Sequence, residues 1–250
     1  MTNEEIFKII TANPTNKFII QHLNKDTIDL VLEIMSKLDA GDFKEARPDA
    51  EFDFSDIPIP YEKIGKESTS QTGFSADVQG KFSQLLAKIN QEGTNIEYPF
   101  VIKTDENSNE YSKMKEFATG SSQTCNYDWK WIEDYIKNAD GKMSFSLLHT
   151  HPNPLNRQHN TLFNKYSKEL SEIGVKPNGL NISIADVYAE QYLEMLIKKY
   201  GKEISAGSTI LMHDGSLISF CTKNGLTLTN EQKIENANKK EVSPIAEKNM

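Results

Sequence analysis

The segment Met143–His151 constrains the fold most strongly, because it has the pattern of an apolar strand and ends in two histidines. Side chains two positions apart share one face of a strand. That face would carry Met143, Phe145, Leu147, His149 and His151. Pro152 then ends the strand, since proline cannot donate to a sheet ladder. Both imidazoles would point the same way and form half of a zinc site. The alternative is that they are ordinary polar residues at a half-exposed strand end.

A second pattern, Ser183-Ile-Ala-Asp186, opens a helix predicted to run to about Tyr200. The spacing places the Ser183 hydroxyl and the Asp186 carboxylate on one helical face. Taken alone, the pattern favours a capping box, in which these two residues satisfy the first backbone N–H groups of the helix. Taken with His149 and His151, Asp186 completes a His, His, Asp set with a fourth position for water, as a catalytic zinc site requires.

Such a site also needs a group that accepts a proton from the water. Glu97 is the best-placed candidate, because it follows the first predicted helix of the core and begins the strand that comes next. Glu92, Glu110 and Glu116 are alternatives at helix-end or turn positions. An isolated glutamate at a strand edge is usually only solvated.

These residues together resemble the signature of the JAB/MPN-plus (JAMM) zinc metalloproteases: a Glu, then His-Ser/Thr-His-Pro, then Ser-x-x-Asp. The matching positions are Glu97, His149-Thr150-His151-Pro152 and Ser183-Ile-Ala-Asp186. The likeness spans about 97–186 by motif and extends to about 229 by element order. The N-terminal region has no counterpart in it.

The resemblance implies that His149, His151 and Asp186 bind Zn²⁺ together with a water. It implies that Glu97 is the general base and that Ser183 helps to hold the oxyanion. The implied fold is α/β (α+β), with a mixed β-sheet flanked by helices around a JAB/MPN-like (cytidine-deaminase-like) core. The implied activity is hydrolysis of a peptide or isopeptide bond in a protein or peptide, with ubiquitin or a ubiquitin-like protein as one substrate class. The alternative is a non-catalytic JAB/MPN-like binding or assembly module. Modules of that kind commonly lose metal ligands, so the presence of all five matching residues argues against it.

One departure from that family is the stretch 152–182, where the family usually has only a short loop. Apolar residues repeat there at helical spacing, and Gly174 follows them. They are Leu162, Phe163, Tyr166, Leu170 and Ile173. The pattern predicts an extra amphipathic helix beside the site. It is either a structural cap or a lid that grips substrate, and the sequence leaves both open.

Composition limits the partners and the compartment. The chain has 28 basic and 36 acidic residues and a net charge of −8, which disfavours binding to nucleic acid. It contains no apolar run of about eighteen residues and begins with an acidic segment, so we expect neither a membrane span nor a classical signal peptide. The chain would be cytoplasmic, or exported by another route. The Lys- and Asn-rich composition would suit a bacterial effector or toxin.

Four segments are predicted along the chain. Residues 1–41 form a helical N-terminal extension, and 42–73 form an acidic, proline-containing linker. The JAB/MPN-like domain covers 74–229, and 230–250 form a disordered tail. The alternative for the linker is an inhibitory or docking strap that lies over a cationic site.

Overall fold

The structure is a computed structural model that describes residues 2–37, 58–66, 72–91, 96–118, 125–152, 167–175 and 181–235. Its strands are β1 (Gly65–Lys66), β2 (Gly73–Phe74), β3 (Phe100–Thr104), β4 (Glu110–Glu116), β5 (Met143–His151), β6 (Ile204–Met212), β7 (Ser216–Cys221) and β8 (Thr227–Lys233). Its helices are α1 (Asn3–Ala12), α2 (Pro14–Ile20), α3 (Lys25–Lys37), α4 (Ala76–Ile89), α5 (Trp129–Asn138), α6 (Ser167–Glu172) and α7 (Ile184–Tyr200). A 3-10 helix covers Tyr61–Lys63.

The eight strands belong to one mixed sheet in the order β1-β8-β7-β6-β5-β3-β4-β2. The central pair, β5 and β6, is parallel. On its other side β5 pairs with β3 in antiparallel fashion, and β6 pairs in the same fashion with β7. The antiparallel alternation of the strands is therefore interrupted between β6 and β5, the strand that carries the two histidines.

Helices cover both faces of the sheet. Side chains alternate between the two faces along each strand, so both faces present apolar residues to the helices. Leu148 and Leu211 pack in one cluster with Phe82 of α4. Phe145 and Leu147, which point to the opposite face, pack with residues of α5 and α7. The predicted mixed sheet flanked by helices is confirmed.

Helix α7 connects the parallel strands β5 and β6 and has a clear start and stop. Ser183 is its N-cap, and Gly201 follows its last residue in the left-handed region with a φ of 60°. Glycine adopts this conformation without the steric cost that a Cβ atom adds. The first turn of α7 lies near the two histidines, since Asp186 Oδ1 is 2.9 Å from His149 Nε2. The predicted helix is confirmed.

The N-terminal helices pack against the sheet. Ile6 and Ile10 of α1 and Val31 of α3 belong to the same buried cluster as Ile210 and Phe220 of the sheet. Hydrogen bonds reinforce this packing. Gln191 of α7 accepts from the backbone N–H of Asn24 at 2.8 Å and donates to Thr27 Oγ1 at 3.0 Å. The helices predicted in this region are present over residues 3–37, and residues 38–41 lie outside the described ones.

Part of the expected linker also packs against the fold. Residues 58–60, which we call the strap, are all buried. The backbone N–H of Ile59 donates to the carbonyl of Ile182 at 2.8 Å, and Pro58 forms an isolated antiparallel bridge with Ser183. The strap consists of an isoleucine between two prolines, which is apolar enough to be buried. The acidic residues 42–56 lie outside the described part of the chain. The strap therefore supports the start of α7.

The last strand extends beyond the predicted end of the domain at 229. β8 continues to Lys233 because it pairs with β7 up to Ser216. The remainder of the predicted tail, residues 236–250, lies outside the described residues. None of the described helices combines the length and the apolar character that crossing a bilayer requires.

Candidate metal centre

The structure brings together the three residues that the sequence predicts as metal ligands. His149 Nε2 lies 2.9 Å from both His151 Nε2 and Asp186 Oδ1. His151 Nε2 lies 3.8 Å from Asp186 Oδ2. All three side chains are buried or nearly so. The group could hold a metal ion, because each residue offers one donor atom and these atoms lie within 4.8 Å of one another.

The spacing of these atoms can be compared with that of the ligands around a small tetrahedral ion. Zinc binds nitrogen and oxygen ligands at about 2.0–2.2 Å, so two ligands of a tetrahedral zinc ion lie about 3.4 Å apart. His149 Nε2 lies 2.9 Å from His151 Nε2 and from Asp186 Oδ1, somewhat less than that value, and the 3.8 Å separation joins His151 Nε2 to the other oxygen, Asp186 Oδ2. A hydrogen bond could explain why two of these donor atoms lie close together, because one hydrogen atom bridges one pair. A metal ion would attract all three donor atoms at once. Two imidazoles and a carboxylate are also a donor set that zinc accepts.

Asp186 combines the two functions that the sequence left as alternatives. Its Oδ2 accepts hydrogen bonds from the backbone N–H of Ser183 at 2.7 Å and from the Ser183 hydroxyl at 2.8 Å. Its Oδ1 faces His149. The capping box is therefore present, and it holds the carboxylate in the orientation that points one oxygen at the imidazoles.

The electrostatics of the site keep Asp186 ionised. Burial alone would raise the pKa of its carboxyl group. The charge and hydrogen bond of His149, followed by those of His151, outweigh burial and hold the pKa of Asp186 well below its usual range. An ionised carboxylate is the form that binds a metal.

Glu97, the predicted general base, is buried and lies next to the strand that carries the histidines. The backbone N–H of its neighbour Tyr98 donates to Thr150 Oγ1 at 3.0 Å. Thr150 stands between the two histidines, and its side chain is fully buried. Burial, followed by the charge of Glu97 and then by that of Asp186, raises the pKa of the Cys125 thiol. Among the alternative bases, Glu110 and Glu116 are exposed and Glu92 lies outside the described residues.

Ser183, the predicted oxyanion donor, also lies at the site. Its hydroxyl donates to Asp186 Oδ2 and accepts from the backbone N–H of Asp186 at 3.3 Å. A hydroxyl carries one hydrogen atom. To donate to an oxyanion, Ser183 would have to turn that hydrogen away from Asp186.

Near His149 lie two residues that the sequence did not suggest for the site, Tyr127 and its neighbour Cys125. The Tyr127 hydroxyl lies 3.1 Å from His149 Nδ1. Cys125, a free and half-buried cysteine, neighbours Tyr127 closely enough to act on its pKa. Burial, followed by the charge of Glu97, raises the pKa of the Cys125 thiol well above its usual range. Burial likewise raises the pKa of Tyr127. No motif marked these residues, since they precede α5 in a segment without periodicity.

The stretch 152–182 is described in part. A helix is present at Ser167–Glu172, and Gly174 follows it with a φ of 83°. Ile173 and Val175 pack in the cluster that contains the start of α7. Leu162, Phe163 and Tyr166 lie outside the described residues. The described end of the stretch is therefore anchored to the core.

Comparisons with known protein families, with curated proteins and with solved structures find no match for this chain. A fold by itself does not specify a function. The function therefore has to be inferred from the side chains of the site and from the order of their motifs in the sequence.

A second carboxylate of α7 has the opposite environment to Asp186. Glu190 is completely buried, and the Thr222 hydroxyl donates to its Oε2. Its Oε1 has no hydrogen-bond partner in the described part of the chain. Burial, to which the charge of Glu194 adds, raises the pKa of Glu190 to about 7.

This environment predicts a loss of stability with rising pH. The folded chain holds the Glu190 proton up to about pH 7, whereas the unfolded chain releases it near the ordinary glutamate value of about 4.3. Stability should therefore fall as pH rises between these values, by at most about 4 kcal/mol. Thermal melts at pH 5 and pH 8 should show that Glu190→Gln reduces this fall. The exposed Glu203→Gln is the control, and an unchanged fall in Glu190→Gln would contradict the prediction.

Proposed function

We propose that this chain is a zinc-dependent metallopeptidase or isopeptidase of the JAMM type, built on a JAB/MPN-like core. The observation that carries the proposal is the convergence of His149, His151 and Asp186 at the end of β5. The buried Glu97 and the capping Ser183 complete the order of residues that the resemblance implies. Two imidazoles and one carboxylate favour zinc over harder cations, which prefer oxygen ligands.

The chemistry divides among these residues. A zinc ion in such a site supplies a Lewis acid that polarises a carbonyl and makes a water more acidic. The Glu97 carboxylate takes a proton from the attacking water and delivers it to the leaving amine nitrogen. The carbon–oxygen bond forms first and gives a tetrahedral oxyanion, and the carbon–nitrogen bond breaks as this oxyanion collapses and the amine leaves with its proton. Ser183 turns its hydrogen from Asp186 to the oxyanion, and such a donor contributes about 2.7–4 kcal/mol in known cases.

The substrate class follows from the resemblance rather than from a contact in the structure. We propose an amide bond in a protein or peptide, with an isopeptide bond to ubiquitin or to a ubiquitin-like protein as the first class to test. A bacterial effector or toxin would meet such a substrate in a host cell.

The test is a metal analysis followed by a cleavage panel. The purified chain, reconstituted with zinc and desalted, should retain about one zinc ion per chain. It should then cleave a member of a panel of ubiquitin chains, ubiquitin-like fusions and generic peptides. A chelator should abolish cleavage, and added zinc should restore it. A chain that retains zinc but cleaves nothing would favour the binding or assembly module, and a chain that retains no zinc would overturn the metal centre itself.

A further inference from the structure

We propose that Tyr127 is a positioning residue for the metal centre. Its hydroxyl accepts the Nδ1 hydrogen of His149, while Cys125 accepts the hydroxyl hydrogen of Tyr127, and this pair selects the imidazole tautomer that can bind a metal. The inference rests on the proposed metal site and not on the proposed hydrolysis. It concerns a contact of 3.1 Å between Tyr127 Oη and His149 Nδ1.

The tautomer of His149 decides whether its Nε2 atom can be a ligand. A neutral imidazole carries one hydrogen, either on Nδ1 or on Nε2. The Nε2 atom faces His151 and Asp186, so it must be free of hydrogen when a cation lies among them. Without a cation, Asp186 Oδ1 at 2.9 Å favours the opposite tautomer, with the hydrogen on Nε2. An acceptor at Nδ1 is needed to offset this preference.

Tyr127 can be that acceptor because its own hydrogen has another partner. A phenol hydroxyl donates one hydrogen bond and accepts others. We assign the hydroxyl hydrogen to the sulfur of the neighbouring Cys125, whose side chain acts on the pKa of Tyr127, and this gives the hydrogen a place away from the imidazole. The Tyr127 oxygen then presents a lone pair to His149 Nδ1. If Cys125 offered no acceptor, the hydroxyl would turn its hydrogen to Nδ1 and favour the tautomer that cannot bind metal.

The Tyr127 ring is held in place by its aromatic neighbours. It contacts Phe117 edge to face, with ring centroids 6.4 Å apart, and Trp129, with centroids 5.7 Å apart. Its plane lies at 83° to the imidazole of His149. These contacts pack against the ring whose hydroxyl oxygen lies 3.1 Å from His149 Nδ1. Packing supplies the orientation, and the oxygen supplies the hydrogen bond.

The first test measures zinc affinity by competition with a chelator. Tyr127→Phe keeps the ring and removes the oxygen, and it should weaken zinc binding by about 10–100-fold, as expected for a group that orients a metal-binding histidine. Tyr135→Phe is the matched control, because it removes a phenol oxygen from the same aromatic cluster. That oxygen contacts Lys103 and Met143. The control should bind zinc as the parent does.

The second test reports the tautomer directly and needs no metal. Nitrogen-15 NMR of the histidine side chains distinguishes a hydrogen on Nδ1 from one on Nε2. In Tyr127→Phe the population with the hydrogen on Nε2 of His149 should rise, while the His151 signals in the same spectrum should stay unchanged. A role in packing alone would not shift this population.

Cys125 supplies a second variant that leaves the tyrosine in place. Cys125→Ser keeps an acceptor for the hydroxyl hydrogen and should retain zinc affinity, whereas Cys125→Ala should lose part of it. Zinc affinity within twofold of the parent in Tyr127→Phe, with an unchanged tautomer, would overturn the proposal. A parent chain that binds zinc without cleaving any substrate would contradict the proposed hydrolysis. The zinc affinities and the tautomer populations would still test the role of Tyr127.

Discussion

Glu97→Gln is expected to retain zinc and to lower the hydrolysis rate by about 10²–10⁴-fold, the usual contribution of a positioned general base. Glutamine has nearly the same shape as glutamate but cannot take a proton from water. Glu97 is not part of the group of metal-donor atoms. Its loss should therefore affect the proton transfer and not the binding of the ion.

The measurement pairs single-turnover cleavage with zinc content on the same preparation. Glu116→Gln is the matched control, because Glu116 was an alternative base and its side chain is exposed. It should cleave at the parent rate. Cleavage by Glu97→Gln at the parent rate would show that another group is the base, and loss of zinc from this variant would show that Glu97 holds the ion.

Asp186→Asn is expected to abolish stoichiometric zinc binding and, with it, all hydrolysis. The substitution keeps the side-chain shape but removes the negative charge that His149 and His151 stabilise. An amide oxygen is a weaker zinc ligand than a carboxylate, and zinc sites draw their oxygen ligands from Asp and Glu. Equilibrium dialysis against buffered zinc measures the effect, and circular dichroism confirms that the variant is folded.

Ser183→Ala separates the two functions of Asp186. It removes the hydroxyl that caps α7 but leaves the carboxylate, so it should lower the free energy of unfolding by about 1 kcal/mol. It should keep stoichiometric zinc. If Asp186→Asn bound zinc as tightly as Ser183→Ala, the carboxylate would serve only as a helix cap and the metal centre would be wrong.

The local patterns of the site could be predicted from the sequence because each is short. The two-residue period of β5 placed His149 and His151 on one face, and capping chemistry marked the start of α7 at Ser183. Sequence reasoning left capping and metal binding as alternatives for Asp186. It could not show that one carboxylate oxygen serves each purpose, because that depends on how α7 lies against β5.

Contacts between distant segments of the chain could not be predicted from the sequence. Tyr127 reaches His149 through aromatic contacts that follow no periodic pattern along the chain. The strap pairs with Ile182 far along the sequence, and only its apolar composition distinguished it from the acidic residues before it. The N-terminal helices showed amphipathic patterns but no indication of which face of the sheet they cover. Such contacts depend on the whole arrangement of the chain rather than on neighbouring residues.

The separate anchoring of β5 and α7 has a consequence for how this protein could diversify. Register with β6 fixes His149 and His151, whereas the strap and the helix cap fix Asp186. Neither anchor depends on the length of the intervening stretch 152–182. Residues added to this stretch as a flexible loop would cost little, because doubling the length of such a loop costs only about 0.6 kcal/mol in closure entropy. Insertions there can accumulate and recombine during evolution, so new recognition elements could be acquired without rebuilding the ligand geometry.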